Sequence, residues 1–380
     1  MRIFSCHTCS NLLFFENNVC LNCKSQVGFD PGTRDLLTLP AAGLRKCSGG
    51  DQCCNWLVAE SDPEPRCLSC RTTVEHPAAD GDSGAAWTAL ERAKRRLCHT
   101  LLRLGLSLDG MTFAFKNDGL TGHADGLISV VLAEADDAVR MKRQHDMGEP
   151  FRTLSGHLRH ESGHFYHTQL VLESPHVDEI RAVFGDERTD YAKALEVHYK
   201  QGPPADWSAH HVSAYASSHP HEDWAETWAH YLHMVDALEI ASAYGLSLAP
   251  RPGVTDAPVI EVDLDVMNNA SFDDLIAAWQ PLTWFANSLN RSLGHPDWYP
   301  FAPSPAVMDK LRLVHALIME RSSAGPKKLD KPASQSQIET AKTPSASFPE
   351  AQSNLVQAQQ AQMPKPSTTT APADVQAPTI

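Results

Sequence analysis

The H-E-x-x-H motif formed by His160, Glu161 and His164 constrains the fold of this chain more than any other stretch of its sequence. Residues four apart lie on one face of an α-helix, so both imidazoles can bind one metal ion. Glu161 then lies beside the metal, where its carboxylate can take a proton from a bound water. Pro150 and apolar residues at helical intervals indicate a helix over roughly residues 151–173. The motif therefore predicts a metal-binding helix near the middle of the chain.

A histidine-rich surface helix is the alternative to a metal site. The chain has 19 histidines in 380 residues, and His157 and His167 fall on nearly the same helical stripe as the motif. A catalytic zinc takes three protein ligands and leaves a fourth position for water. The choice between the two interpretations therefore depends on a third ligand.

Two glutamates in a later segment offer that ligand. Glu222 and Glu226 are four residues apart within residues 215–230, where aromatic and apolar side chains indicate a second helix. Two histidines and one glutamate are an established zinc ligand set. One carboxylate can bind the metal, and the other can accept the spare imidazole N–H of a ligand and so fix its tautomer.

All ten cysteines lie in the first 98 residues, as in metal-binding modules and unlike a disulfide network spread through a domain. Two C-x-x-C pairs separated by ten residues predict one tetrahedral structural zinc site, in preference to free thiols in a loop. The ligands of this first structural site are Cys6, Cys9, Cys20 and Cys23. The few aromatic residues around them form too small a core to fold without the metal.

A second set of cysteines is less regular, since five candidates compete for four positions. These candidates are Cys47, the adjacent Cys53 and Cys54, Cys67 and Cys70. They predict a second structural zinc site. A disulfide or redox role is the alternative. The cytoplasmic location expected for this chain argues against it, because thiols stay reduced there.

Taken together, H-E-x-x-H and the later E-x-x-A-E at Glu222 to Glu226 resemble the gluzincin metallopeptidases. Tyr215, seven residues before Glu222, is placed like the active-site tyrosine of the lethal-factor-like branch. More closely, the chain resembles a bacterial zinc-binding metallopeptidase family that carries an N-terminal zinc ribbon, and the resemblance covers most of the chain except its C-terminal tail. The matching stretches are 122–128, 133–137, 147–150, 159–164, 184–187, 215–230, 290–294 and 299–301.

This resemblance implies an α+β fold, a mainly helical zincin-like catalytic domain with a small sheet. It implies a catalytic zinc on His160, His164 and Glu222, with Glu161 as general base. Tyr215 is then a hydrogen-bond donor to the developing oxyanion. Glu226 supports a ligand imidazole, and the roles of the two glutamates would swap if Glu226 bound the zinc instead.

The resemblance also selects among the second set of cysteines. Cys54 precedes Asn55 and Trp56, which matches the Cys-Asn-Trp of the family. The implied ligands of the second structural zinc are therefore Cys47, Cys54, Cys67 and Cys70, with Cys53 spare.

The sequence divides into four regions. Residues 1–75 form the zinc-ribbon region, residues 76–85 have the composition of a linker, and residues 86–320 form the metallopeptidase domain. From residue 321 to residue 380 the chain is rich in Pro, Ala, Gln, Ser and Thr, which predicts a disordered tail.

Within the metallopeptidase domain, residues 86–106 read as an amphipathic helix with Lys94 on its polar face. Strands are predicted at residues 111–115 and 127–132, with His123 and Asp125 in the turn between them. An edge strand here could pair with an extended peptide substrate, as sheets do in strand addition. The acidic residues Glu134, Asp136 and Asp137 are typical of a solvated or capping segment. Residues 177–199 read as one further helix.

Composition excludes several classes of partner. The net charge is −14, and residues 1–75 carry seven basic against eight acidic side chains, so we expect no nucleic-acid binding. No run of 18 or more apolar residues is present, which argues against a membrane span. The first residues lack the pattern of a secretory signal, so we expect a cytoplasmic protein.

The sequence thus predicts a metallopeptidase that hydrolyses peptide or protein substrates with one catalytic and two structural Zn²⁺ ions. A zinc hydrolase of a non-peptide amide would use the same ligands. A non-catalytic adaptor that binds a protein partner through its zinc ribbons is the other alternative. Glu161 argues against the adaptor, because a structural zinc takes four protein ligands and needs no general base.

Overall fold

The computed structural model describes residues 3–49, 54–78, 81–147, 153–249, 260–262 and 270–323. The predictions for Cys53, for residues 148–152 and for the tail from residue 324 lie outside the described residues. Within them the chain has an α+β fold, with helices in the majority and several small sheets, so the predicted fold class is confirmed.

The N-terminal region contains three antiparallel strand pairs. They are β1 (Phe4–Ser5) with β2 (Leu12–Leu13), β3 (Val27–Asp30) with β4 (Asp35–Thr38), and β5 (Leu44–Lys46) with β6 (Leu57–Ala59). The short helix α1 (Leu68–Arg71) follows. Phe29 lies 5.0 Å from Phe15 and 5.1 Å from Trp56 between ring centroids, and the ring of His99 packs against the same cluster. Because His99 belongs to helix α2 (Gly81–Arg103), the strand pairs and this helix share one core.

Helix α2 corrects the amphipathic prediction. Lys94, predicted on its solvent face, is fully buried; its ammonium donates to the backbone oxygen of Ser69 at 2.9 Å and lies 3.0 Å from the carboxylate of Glu91. A buried lysine needs such partners, since an unpaired charge in the interior is costly. The N-terminal region covers the face that the sequence alone left open to water.

A four-stranded sheet lies beside the helices in the order β7-β8-β10-β9. Its strands are β7 (Thr73–Glu75), β8 (Thr112–Lys116), β9 (Gly122–Ala124) and β10 (Leu127–Val131). β7 and β10 both run parallel to β8, and β9 pairs antiparallel with β10 at the edge. The placement of His123 in a turn is therefore wrong, because it lies on the edge strand β9; of the two predicted turn residues, only Asp125 lies in the turn.

The remaining chain is mainly helical. Its α-helices are α3 (Asp137–Met147), α4 (Leu154–His167), α5 (Val177–Phe184), α6 (Tyr191–Gln201), α7 (Trp207–His210), α8 (Pro220–Ala243), α9 (Phe272–Ser292) and α10 (Pro305–Ser323). The strands β11 (Ser247–Leu248) and β12 (Ile260–Glu261) pair between α8 and α9. The prediction of one helix over 177–199 is wrong, because Gly185 adopts a φ of +96° and ends α5. No helix among the residues that the structure describes has the length and apolarity to cross a membrane.

Helices α4 and α8 approach each other closely because of one glycine. A Cβ atom on Gly163 would lie 2.9 Å from the Cα of Ala225. The backbone oxygen of Gly163 accepts a 2.9 Å hydrogen bond from Trp224 Nε1, and Ser162 Oγ lies 3.1 Å from Trp228 Nε1. These contacts bring the H-E-x-x-H helix against the helix that carries the two glutamates.

Candidate active site and zinc sites

Three potential metal ligands converge between α4 and α8. The Nε2 atoms of His160 and His164 are 3.1 Å apart, and Glu222 Oε2 lies 3.0 Å from the first and 3.5 Å from the second. Zinc bonds of 2.0–2.1 Å in a tetrahedral site place neighbouring ligand atoms about 3.3–3.4 Å apart. The three donors therefore have the chemistry and the spacing of three corners of a zinc tetrahedron.

Tyr191 of helix α6 fixes the orientation of Glu222. Its hydroxyl donates a 2.7 Å hydrogen bond to Glu222 Oε1, which leaves Oε2 directed at the two imidazoles. Burial opposes ionisation of Glu222, but the charge of His164 and hydrogen bonds with His160 and His164 outweigh it and hold the pKa of the carboxyl well below its usual range. Glu222 is thus an ionised carboxylate with one oxygen directed at the two imidazoles, as a metal ligand requires. No motif in the sequence marks Tyr191.

Glu226 lies behind His160 and not among the converging donors. Its Oε1 is 2.7 Å from His160 Nδ1, so it accepts the N–H that fixes Nε2 as the metal-facing nitrogen. Ser213 Oγ donates to Glu226 Oε2 at 2.7 Å and holds that carboxylate in turn. Of the two arrangements left open by the sequence, the geometry has Glu222 at the ligand position and Glu226 in support. The sequence does not mark Ser213, because a lone serine in a loop belongs to no motif.

Glu161 is buried one residue after the first ligand. Burial raises the pKa of its carboxyl, but a hydrogen bond from His157 and the nearby imidazole charges lower it to about 2. The Nε2 atom of His157 lies 3.2 Å from Glu161 Oε1. Tyr215 lies in a 3-10 turn (Tyr215–Ser218) with its ring 6.0 Å from that of His160. Both predicted catalytic side chains are therefore close to the ligand cluster.

Other imidazoles surround the site without joining the ligand cluster. The ring of His221 lies 4.3 Å from that of His164, and burial keeps its pKa well below the usual value. The ring of His123 lies 6.4 Å from His164, and its Nε2 accepts a 3.2 Å hydrogen bond from the backbone N–H of Gly126. Burial and the charge of His164 lower the pKa of His123 to about 4. These rings are neutral at pH 7 and line the space beside the metal ligands.

Eight cysteines form two further clusters in the N-terminal region. The Sγ atoms are 3.7 Å apart in the pair Cys6 and Cys23 and in the pair Cys9 and Cys20, too far for a disulfide. Tetrahedral zinc with 2.3 Å bonds to sulfur places its ligands about 3.8 Å apart. The second cluster has the same dimensions, with 3.6 Å between Sγ atoms of one pair, and Cys53 lies outside the described residues. Its members are Cys47, Cys54, Cys67 and Cys70.

Comparisons with known proteins match both halves of this arrangement. A sequence model of the family described as "Putative zinc-binding metallo-peptidase" matches residues 83–317, and one for a zinc-ribbon domain matches residues 3–80. Uncharacterized proteins of Mycobacterium bovis and of two strains of Mycobacterium tuberculosis are each 39% identical over 336 residues. The alignment covers 84% of this chain and 96% of each relative. No solved structure matches the chain.

Proposed function

The chain belongs to the family described as "Putative zinc-binding metallo-peptidase", and from this premise we propose that it hydrolyses peptide bonds between helices α4 and α8. One observation carries the proposal: His160, His164 and Glu222 have the spacing of three zinc ligands, and a fourth protein ligand is absent from the described cluster. A catalytic zinc has this open coordination, whereas a structural zinc is closed by four protein ligands.

Each side chain has a defined task in this reaction. A zinc ion held by His160, His164 and Glu222 would supply the Lewis acidity that activates a water and polarises the scissile carbonyl. Glu161 takes the proton of the attacking water on its carboxylate and returns it to the leaving amine. Tyr215 donates a hydrogen bond to the developing oxyanion. Glu226 holds the Nδ1 proton of His160, and Tyr191 holds the free oxygen of Glu222.

The first test measures zinc content and peptidase activity in the same preparations. We expect about three zinc ions per chain in the wild type, about two in His160→Ala and about three in Glu161→Gln. Both variants should lose cleavage of a peptide library. His176→Ala is the matched control, because His176 is an exposed histidine outside the site. Full zinc content in His160→Ala would remove the basis of the proposal.

The identity of the substrate bond separates peptidase from amidase. The same residues would serve a non-peptide amide, so cleavage of small amides with no cleavage of any library peptide would favour that alternative. A full-length protein that binds three zinc ions and cleaves neither class would favour the adaptor. Glu161, buried and adjacent to the ligands, supports hydrolysis over the adaptor.

We also propose that the zinc-ribbon region binds a protein partner through the segment around its first structural zinc site, residues 6–23. Three apolar side chains are exposed there, Leu12, Phe14 and Leu21, and Leu21 is 72% exposed. A region this small needs its few apolar side chains for its own core, so their exposure indicates a surface that another protein covers. The near balance of charge in residues 1–75 disfavours nucleic acid as the partner. Reduced zinc-binding thiols fit a cytoplasmic location. Full-length Leu12→Ser/Leu21→Ser should retain its zinc and lose a partner that the wild type captures; equal capture by both proteins would contradict the proposal.

A further inference from the structure

A series of buried acidic and imidazole groups leads to Glu161 from outside the ligand cluster. His157 lies one turn before Glu161 on α4, with its Nε2 3.2 Å from Glu161 Oε1. On the other side of the ring, Nδ1 lies 3.7 Å from Oε2 of Glu134. The side chains of Glu134, His157 and Glu161 are only 2%, 15% and 7% exposed. The imidazole is therefore sandwiched between two carboxylates in a nearly dry environment.

Glu134 corrects the prediction of a solvated acidic segment. It belongs to the 3-10 turn Leu132–Ala135, which follows strand β10 and places its side chain under helix α4. The neighbouring Asp136 does act as a cap, since its carboxylate accepts the backbone N–H of Ala138 at 2.8 Å. The backbone oxygen of Glu134 accepts a 2.9 Å hydrogen bond from Arg140. These contacts fix the turn, and with it the acid that faces His157.

We propose that His157 is a positioning residue for the general base Glu161, and that Glu134 orients His157 for this task. The inference rests on the proposed hydrolytic function. An N–H at His157 Nε2 that donates to Glu161 Oε1 occupies that oxygen, so the water proton is taken up on Oε2. The same bond stops rotation of the carboxylate. A ring that also carries a proton on Nδ1 is attracted by the Glu134 carboxylate 3.7 Å away, which favours the orientation that keeps Nε2 directed at Glu161.

The size of the effect follows from the role of orientation in catalysis. A displacement of about 1 Å of a reacting group can reduce the rate about 100-fold. Loss of one support, with Glu161 still present, should therefore reduce kcat by about 10- to 100-fold. KM and zinc content should change little, because His157 is outside the cluster formed by His160, His164 and Glu222.

The test compares His157→Phe, His157→Gln and Glu134→Gln, with His176→Phe as the exposed control. kcat and KM are measured with a fluorogenic peptide selected from a library, and zinc content is measured on the same samples. We expect the largest loss of kcat in His157→Phe and partial recovery in His157→Gln, whose amide can still donate to Glu161. The double variant His157→Phe/Glu134→Gln should be no worse than His157→Phe, because Glu134 acts only through His157. Normal kcat in His157→Phe, or additive losses in the double variant, would overturn the proposal.

A binding measurement separates this inference from the function on which it rests. Acetohydroxamic acid gives up its acidic proton when it binds zinc, and Glu161 is the nearby acceptor. We expect Glu161→Gln and His157→Phe each to weaken acetohydroxamate binding to the zinc-loaded protein about tenfold, with no further loss when they are combined. Tight acetohydroxamate binding by a wild type that cleaves no peptide would refute the peptidase function. The affinities of the His157→Phe and Glu161→Gln variants for acetohydroxamate would then still test the role of His157. A zinc-loaded wild type that neither cleaves peptide nor binds acetohydroxamate would refute both.

Discussion

Replacement of Tyr191 by phenylalanine tests whether Glu222 is a metal ligand. The Tyr191 hydroxyl donates a 2.7 Å hydrogen bond to Oε1 of Glu222, whose side chain is only 1% exposed. A hydrogen bond to a charged acceptor contributes about 1.5–3 kcal/mol, and a buried acceptor left without its donor loses an amount of this order. The phenylalanine ring preserves the packing of Tyr191 against His219, so the loss is confined to the hydroxyl.

This free energy appears as reduced zinc affinity, since Glu222 is free to turn its oxygens away from the imidazoles. At about 1.4 kcal/mol per tenfold change, the dissociation constant should rise about 10- to 100-fold. The assay is competition with a zinc chelator of graded concentration, read as zinc retained per chain. The two four-cysteine sites serve as internal references, because neither contains Glu222.

Tyr199→Phe is the matched control for this prediction. Tyr199 lies on the same helix α6 but is 39% exposed and outside the ligand cluster. Its replacement should leave the affinity of the His160 site within about twofold of the wild type, the range expected for a surface change. Equal affinity in Tyr191→Phe and the wild type, or equal losses in both tyrosine variants, would refute the assignment of Glu222 and Tyr191.

Three further predictions address the helix contact, the structural zinc and the protonation of the site. Gly163→Ala places a methyl group 2.9 Å from Ala225 Cα and should destabilise the domain by about 1–3 kcal/mol. The melting temperature should fall by about 2–4 °C for each kcal/mol. An unchanged melting temperature would contradict this close contact. Cys54→Ala should lose one zinc and unfold at lower temperature, whereas Cys98→Ala, at a buried cysteine outside both clusters, should keep all its zinc. Burial opposes protonation of His160, but hydrogen bonds with Glu222 and Glu226 outweigh it and raise its pKa well above the usual value, so the metal-free site holds an imidazolium at pH 7. Zinc binding at pH 7 should then release about one proton and weaken as pH falls, which calorimetry in buffers of different ionisation enthalpy would detect; an equal heat in all buffers would contradict it.

The sequence was most informative where function requires a fixed spacing on one helix. Residues 160 and 164 and residues 222 and 226 are each one turn apart, and apolar periodicity identified both helices. The paired cysteines likewise predicted their clusters. The family resemblance is confirmed by matches to both the metallopeptidase family and a zinc-ribbon domain. Spacing and periodicity are local properties, so a single sequence carries them directly.

The supporting residues could not be predicted because their contacts depend on the folded chain. Tyr191 is 31 residues from Glu222, and Ser213 is 13 residues from Glu226. Neither distance is a helical repeat, and either side chain would be unremarkable on a surface. The prediction that Glu134 lies in a solvated or capping segment failed for the same reason. An acidic run has the same composition whether its side chains face water or a buried imidazole.

The N-terminal region illustrates how far this dependence on tertiary contacts extends. Its strand β7 pairs with β8 of the sheet that also carries His123, and its Ser69 accepts a hydrogen bond from the buried Lys94 of helix α2. Ser69 lies between Cys67 and Cys70, two members of the second cysteine cluster. A metal held by that cluster therefore fixes the backbone at Ser69, whose oxygen accepts the hydrogen bond from Lys94 in the core of the metallopeptidase domain. Loss of this zinc should disturb α2 as well as the ribbon, because the buried ammonium of Lys94 would lose the Ser69 acceptor and keep the carboxylate of Glu91 as its partner.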